Sequence, residues 1–422
     1  MNLIKKGEIP TGGTDEDIFF NPRGSRRFLK FLCCLDYFEG PAPLKFLNKI
    51  YICIVYTLQL IVILQGLIHS IKDSKVAIKV EAVHYTLCII IITCYISNEL
   101  YNHSSLTEAW KIMKYTYNNL NGPDIPEDLK KIHRQNSKMV KNMNIVFSGL
   151  MFFSSAGYLS FAPIREAIYE DKNAPRTLPI PMYFPFDVTK NPGYTWAVIW
   201  EGLTLFYLCG VATSANQSYS AYMGTLRAEL ALLNHSIIHI EERAAKKFGR
   251  NEITLETYKD FNFQKCLNEC LKEDIRHHYN LLKYYNLTKS YLGFILLVFI
   301  VVASIILAAA GYLISRPNSP MDETVKFVII VCAEMNFVLQ LCWYGEQVSH
   351  ESSELFRNLF RSPWYQSKRT FRDSVDMMLC GTMRPMQLKT TFFNIDASLA
   401  TYNSVITTSF QYFNILRNIQ SL

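Results

Sequence analysis

Five stretches of this chain run for twenty residues or more without a formal charge: 50–71, 142–164, 202–226, 290–315 and 397–416. A helix needs about 20 apolar residues to cross the roughly 30 Å hydrocarbon core of a bilayer. Two further segments, about 76–99 and 322–345, are apolar but interrupted, the first by Lys79 and Glu81 and the second by Lys326 and Glu334. The pattern predicts seven transmembrane helices, at 46–71, 76–99, 142–164, 194–224, 290–314, 323–345 and 392–416. Leu226, Leu230, Leu233, Ile237 and Ile240 then recur at three- and four-residue steps, so the fourth helix is predicted to continue past the membrane. A second polar-faced helix is predicted near 256–288, and a short amphipathic one at 368–381.

Composition supports this pattern. Hydrophobic residues make up 50% of the 422 and charged residues 19%, against roughly 25% charged in a soluble domain. The fold class read from the sequence is an all-α integral membrane protein. The net charge of +7 is too mild and too scattered for nucleic acid. Its placement sets an orientation. Segments 1–44, 101–138, 225–288 and 347–390 hold 29 Lys and Arg, whereas the intervening links hold eight. The rule that Lys and Arg stay inside predicts a cytoplasmic N-terminus and an extracellular C-terminus. The first 44 residues carry no apolar core of signal-peptide type, so the first span is expected to act as the insertion signal. The predicted organisation is a cytoplasmic segment 1–45, a six-helix transmembrane region 46–345 with cytoplasmic extensions at 225–289, a cytoplasmic segment 346–391, and a last helix with its tail at 392–422. None of the eleven cysteines falls in a predicted outer loop, so no outer disulfide is expected. The sequons at Asn102, Asn216, Asn234 and Asn286 are cytoplasmic or inside spans and are expected to stay unglycosylated.

Enzyme chemistry finds little support. There is no phosphate-binding or dinucleotide-binding glycine loop. His235 and His239, and Cys266 and Cys270, sit four residues apart, a spacing zinc can use, but they read as helix-packing residues; no metal or cofactor is expected. Acids within spans are costly and point to function. Glu81 reads as solvated near an outer helix end; Glu201 and Glu334 either touch water in a cavity or bond a neighbouring helix. The outer loop 165–193 holds Pro175, Pro179, Pro181, Pro185 and Pro192 with Tyr183, Phe184 and Phe186. It is stiff and apolar, and either covers an outer cavity or packs on the helix ends.

The last helix is polar along one stripe: Ser404, Thr408, Gln411, Ile415 and then Asn418 or Ile419. Such a stripe faces water or another protein rather than lipid. The tail also carries a pattern. Thr401-Tyr402 is followed by Ser409-Phe410-Gln411-Tyr412-Phe413-Asn414-Ile415-Leu416, and Cys342-Trp343-Tyr344-Gly345-Glu346 precedes Ser352 and Trp364-Tyr365. With seven spans and an inward N-terminus, this resembles the insect odorant receptors. Thr408-Ser409 distinguishes it from the related gustatory receptors, which end differently. A G-protein-coupled receptor would have an outward N-terminus.

The resemblance implies a ligand-gated, non-selective cation channel in the plasma membrane of a sensory dendrite. It implies a heterotetramer in which this chain is a tuning subunit beside a longer shared co-receptor. It also implies a pore lined by the last helix of each subunit. Within that frame Ser404, Thr408, Gln411, Ile415, Asn418 and Ile419 are the pore residues, and Ile415 is the expected gate. A ligand pocket is expected in the outer half, from His84 and Tyr85; Ser154, Gly157, Tyr158 and Phe161; Ile199, Trp200 and Leu203; and Phe327 and Ile330. The favoured ligand is a small volatile ester, aldehyde or terpenoid; membrane lipid is the other small partner. The alternatives are a gustatory-type receptor channel, a G-protein-coupled receptor and a transporter.

Overall fold

The computed structural model describes residues 42–72, 76–120, 127–168, 178–249, 253–316 and 321–420. Segment 1–41 and part of the proline-rich loop lie outside the described residues. The described chain is helical: α1 (Ala42–Lys72), α2 (Val76–Tyr101), α3 (His103–Leu120), α4 (Glu127–Ile168), α5 (Gly193–Ile238), α6 (Ile240–Phe248), α7 (Phe261–Ile314), α8 (Met321–Arg361), α9 (Arg369–Thr382) and α10 (Leu399–Gln420). Five of these, α1, α2, α5, α7 and α8, are long and apolar enough to cross a membrane. The segments predicted as the third and seventh spans lie in α4 and α10.

Helix ends follow local chemistry. Asp260 caps α7, its carboxylate accepting from Asn262 N at 2.8 Å, which satisfies one of the free donors at the helix start. Gly249 ends α6 in the left-handed conformation, φ 82°, its N–H donating to Ala245 and Lys246 carbonyls; glycine reaches that conformation without a Cβ clash. The long helices run beyond the predicted spans: α4 begins at Glu127 and α7 at Phe261.

α5 lies at the centre, packed against α4, α7 and α8, while α7 also meets α2, α3, α6, α9 and α10. α5 is buried almost continuously from Thr204 to Ile237. α1 is the reverse. Phe46, Leu47, Ile50, Ile54, Leu58, Leu60, Ile61, Leu64, Leu67 and Ile71 are all exposed. In water each would forfeit about 1.5–3 kcal/mol of burial; a lipid surround removes that cost.

The predicted last span 392–416 starts later than its pattern implied. Residues 390–398 form a tight irregular turn, and α10 begins at Leu399. Asn394 adopts φ 51°, a left-handed conformation that asparagine tolerates. Thr390 closes the turn, its hydroxyl accepting from Ile395 N at 3.0 Å and its N–H donating to Ile395 O at 2.9 Å.

Candidate functional site

A cavity of about 110 Å³ lies between α2, α4, α5, α7 and α8. One water needs about 10–15 Å³ on this scale, so the space suits a small organic molecule. α2 supplies Glu81, His84, Tyr85, Cys88, Ile91, Ile92 and Tyr95, positions three, four and seven apart that share a helix face. α5 supplies Leu205, Leu208, Cys209 and Ala212; α4 supplies Phe147, Met151, Ser154 and Ser155; α8 supplies Ile330, Glu334 and Phe337; Phe299 comes from α7. The aromatic base is tightly packed, with tilted rings: Phe337 lies 4.1 Å from Phe299 and 5.1 Å from Phe147, centroid to centroid.

Beneath the aromatics α4, α5 and α8 share buried amides. Asn216 Nδ2 donates to Asn144 Oδ1 at 3.2 Å and to Gln340 Oε1 at 3.0 Å, and Ser220 donates to Asn144 Oδ1 at 3.0 Å. Asn102, Asn216 and Asn234, three of the sequon positions, are buried.

The loop after α4 closes one end. Ile180 is fully buried and lines the cavity. Its N–H donates to Glu201 Oε2 at 3.1 Å. Lys326 donates to Pro179 O at 3.2 Å and pairs with Glu81. Tyr183 N donates to Gln65 O at 3.2 Å, and Lys72 sits 4.0 Å over the Tyr183 ring. Two of the three acids read as solvated or ambiguous in the sequence thus hold the cover: Glu81 through an ion pair, Glu201 through a backbone bond.

Of the predicted pocket residues, His84, Tyr85, Ser154 and Ile330 line this cavity. Phe327 lines a neighbouring cavity, together with His84 and Ile330. Trp200 packs against the core and donates to Gln65 Oε1 at 3.2 Å. Gly157 faces open space. Ile199 and Leu203 are 47% and 63% exposed, on the outer face of α5. At 100° per residue they stand about half a turn from Glu201, Leu205 and Leu208. The side chains of Tyr158 and Phe161 lie outside the described residues. Cys88, Met151, Leu205, Leu208 and Cys209 were not singled out in the sequence. The signal that finds the α5 set is Glu201 itself, because an acid within a span marks the face turned away from lipid.

On α10, Ser404, Thr408, Gln411 and Ile415 are all exposed. The opposite face packs: Ser409 donates to Ser304 O of α7 at 3.3 Å, Val405 is buried, and Phe413 lies over Gly311. The side chains of Asn418 and Ile419 lie outside the described residues.

The long helices also pack beyond the cavity. Arg243 pairs with Asp274 at 2.9 Å, which also accepts from Ser236 at 2.6 Å. His277 Nε2 meets Glu229 Oε2 at 2.9 Å. Asn234 donates to Glu351 O at 2.9 Å and accepts from Asn358 at 3.2 Å. Burial, then the neighbouring His277, lowers the His278 pKa to about 4. His235 and His239 stack on each other at 4.1 Å. Among the described residues the metal-competent grouping is a different one, His84, Cys88 and Glu334.

The sequence model of the family described as 7tm Odorant receptor matches residues 75–410. Odorant receptor 67c of Drosophila melanogaster is 24% identical over 245 residues, 57% of this chain and 55% of that protein. Odorant receptor 63a of the same species is 32% identical over 102 residues, 24% of each chain. The first three such relatives are each matched over a little more than half their own length. The insect olfactory receptor OR5 from Machilis hrabei, solved with eugenol, superposes with a TM-score of 0.74 at 14% identity, over 96% of this chain and 100% of that one. The fold is therefore that of an insect olfactory receptor, and the family is one of receptors rather than of enzymes. With four fifths of its length inside that family match, this chain belongs to the 7tm odorant receptor family of insects.

Proposed function

We propose that this chain is a tuning subunit of an odorant-gated, non-selective cation channel in the plasma membrane. It crosses the membrane seven times, by α1, α2, α4, α5, α7, α8 and α10, with its N-terminus cytoplasmic and its C-terminus outside. A small apolar volatile binds in the cavity under the 178–186 cover, and α10 lines a central pore shared with co-receptor subunits. One observation carries this reading. α10 is fixed to α7 by Ser409 and Phe413, with Val405 buried, while Ser404, Thr408, Gln411 and Ile415 stay exposed. A terminal helix with a polar face left uncovered needs water or other subunits against it.

The ligand chemistry follows from the walls. They are mostly aliphatic and aromatic, with a few polar groups in His84, Tyr85, Ser154, Ser155 and Glu334, and with Glu81 paired to Lys326. Such a pocket suits an apolar body with one oxygen function: an ester, an aldehyde or a terpenoid. The eugenol bound by the Machilis receptor, a small oxygenated aromatic, is compatible with that class.

The deciding experiment is expression with and without an insect co-receptor, recording odorant-evoked current in both arms. Current that needs both subunits and reverses near zero potential supports the proposal. Surface-expressed protein that gives no current with a broad volatile panel sinks it.

A further inference from the structure

His84, Cys88 and Glu334 each offer one ligand atom, and all three atoms lie within 4.8 Å of one another. His84 and Cys88 are one turn apart on α2, and their Nε2 and Sγ stand 3.4 Å apart. Tetrahedral zinc, with bonds of about 2.05 Å to nitrogen and 2.3 Å to sulfur, separates two such ligands by about 3.6 Å. The spacing already matches. Glu334 reaches in from α8, a helix distant in sequence, so the three donors meet only because the fold assembles the cavity. We propose that these residues form a zinc(II) site in the cavity wall.

Charge supports zinc. A carboxylate beside an aromatic and aliphatic cavity is expensive unless neutralised. Zinc with one thiolate, one carboxylate and one neutral imidazole has no net charge. Binding at neutral pH releases the Cys88 proton to solvent, since the thiolate is the ligand. The nearby Lys326 does not compete, being paired with Glu81 and bonded to Pro179 O. The mix of soft sulfur, imidazole and hard carboxylate favours zinc over copper(I), which prefers thiolate and thioether ligands.

Three protein ligands leave a fourth position open, as in zinc sites that act on small molecules. All three donors line the cavity, so that position faces whatever occupies it. A carbonyl oxygen or a thiol on a volatile can take it. This second step rests on the cavity being the ligand pocket, as proposed above; the metal site itself does not.

The test separates the two. The full-length chain, purified in lipid nanodiscs, is titrated with zinc(II) alone, with cobalt(II) as a spectroscopic substitute. The expected result is one bound ion per chain, a thiolate-to-cobalt absorption band, and at least a tenfold loss of affinity in each of His84→Ala, Cys88→Ser and Glu334→Gln. Each variant is first checked for monodisperse elution. A wild-type chain that retains no more zinc than the His84→Ala/Cys88→Ser double variant overturns the site, as does a cobalt spectrum without the thiolate band. In cells, a membrane-permeant chelator should shift the threshold for aldehydes or thiols at least threefold in the wild type and leave the Cys88→Ser threshold unchanged. Bound zinc with thresholds indifferent to chelation overturns ligand coordination while the metal site stands. Absence of any odorant current counts against the channel reading alone.

Discussion

Gly345 on α8 lies so close to Ala397 that a β-carbon there would collide with the Ala397 carbonyl oxygen and its β-carbon. The contact sits two residues before α10 begins. Glu346, the next residue, accepts from Leu399 N at 3.3 Å, placing a negative charge at the start of α10, where the helix dipole favours it. Ser352, two turns on, accepts from Met386 N at 2.9 Å. Gly293 on α7 meets the Lys389 carbonyl in the same close fashion. The motif Cys342–Glu346 is thus a backbone dock for the turn that aims the last helix.

The dock makes a sharp prediction. Gly345→Ala forces two backbones apart, and overpacking of this kind costs about 1–3 kcal/mol. It should lower the melting temperature of the purified protein by several degrees and reduce surface expression. Gly157→Ala meets nothing within 4 Å and should change neither. Equal melting curves for the two variants would refute the dock.

The pocket makes a contrast within a single helix. Leu208 and Cys209 line the cavity, whereas Ile199 and Leu203 face outward. Leu208→Ala should shift the odorant concentration for half-maximal current about tenfold, since losing a few contacts to a small ligand is worth 1–2 kcal/mol. Leu203→Ala should shift it less than twofold. Dose–response curves at matched surface expression measure both, and the reverse ranking would move the pocket to the outer face of α5.

The gate is the third expectation. Ile415 is the large aliphatic residue on the exposed polar stripe, 52% exposed in one subunit. A ring containing it closes a pore by dewetting, so Ile415→Ser should raise current in the absence of odorant. Co-receptor subunits contribute their own ring and will dilute the effect, to about a twofold rise. An Ile415→Cys channel that thiol reagents applied outside leave untouched, despite normal odorant currents, would remove Ile415 from the pore.

A pH dependence follows from His278. It is buried at 7% exposure with its pKa lowered to about 4, so the folded protein holds it neutral. The unfolded chain takes up its proton near pH 6.5. A depressed folded pKa therefore contributes stability that is complete above about 6.5 and is lost as pH falls towards 4. The slope reaches about 1.4 kcal/mol per pH unit. His277 and Glu229, paired nearby, and Arg243 and Asp274 join the same helices. The comparison is therefore with His278→Gln, whose melting temperature should fall less between pH 7 and pH 5. Parallel curves would exclude His278 as the group responsible.

How far the sequence carried can be seen on α5 and α10. The charge-free run 202–226 identified the helix, because lipid tolerates little charge and the pattern is local. Which side of it faces the cavity is a matter of phase, and Ile199 and Leu203 took the wrong side of Glu201 for a cavity-lining role. On α2 the phase is easier to read: His84 and Tyr85 sit on the same face as Cys88 and as Glu81, which the sequence read as solvated, so any member locates the rest. Glu334 joining His84 and Cys88 depends on α8 lying against the cavity, and no periodicity in α2 encodes that. The start of α10 was blurred because Thr390 and Asn394 make a turn among Phe392, Phe393 and Ile395, apolar residues that read as the first turn of the span, with Asp396 as the sole charge between them and the helix.

α7 has one more consequence. Its 54 residues form a rod of about 81 Å at 1.5 Å per residue, far longer than a bilayer is thick. Phe299 in the cavity base, Ser304 and Gly311 behind α10, and Asp274 and His277 among the ion pairs are all mounted on it. The rod is a lever. With a fulcrum near one end, a tilt of about 5° sweeps the other end through about 7 Å, more than a helical turn. Pivoted at Ile314, a shift of about 0.5 Å at Phe299, roughly 22 Å away, becomes roughly 2 Å at Phe261, so under the channel reading proposed above the stiffness of that one helix sets how much of a displacement at the cavity wall arrives.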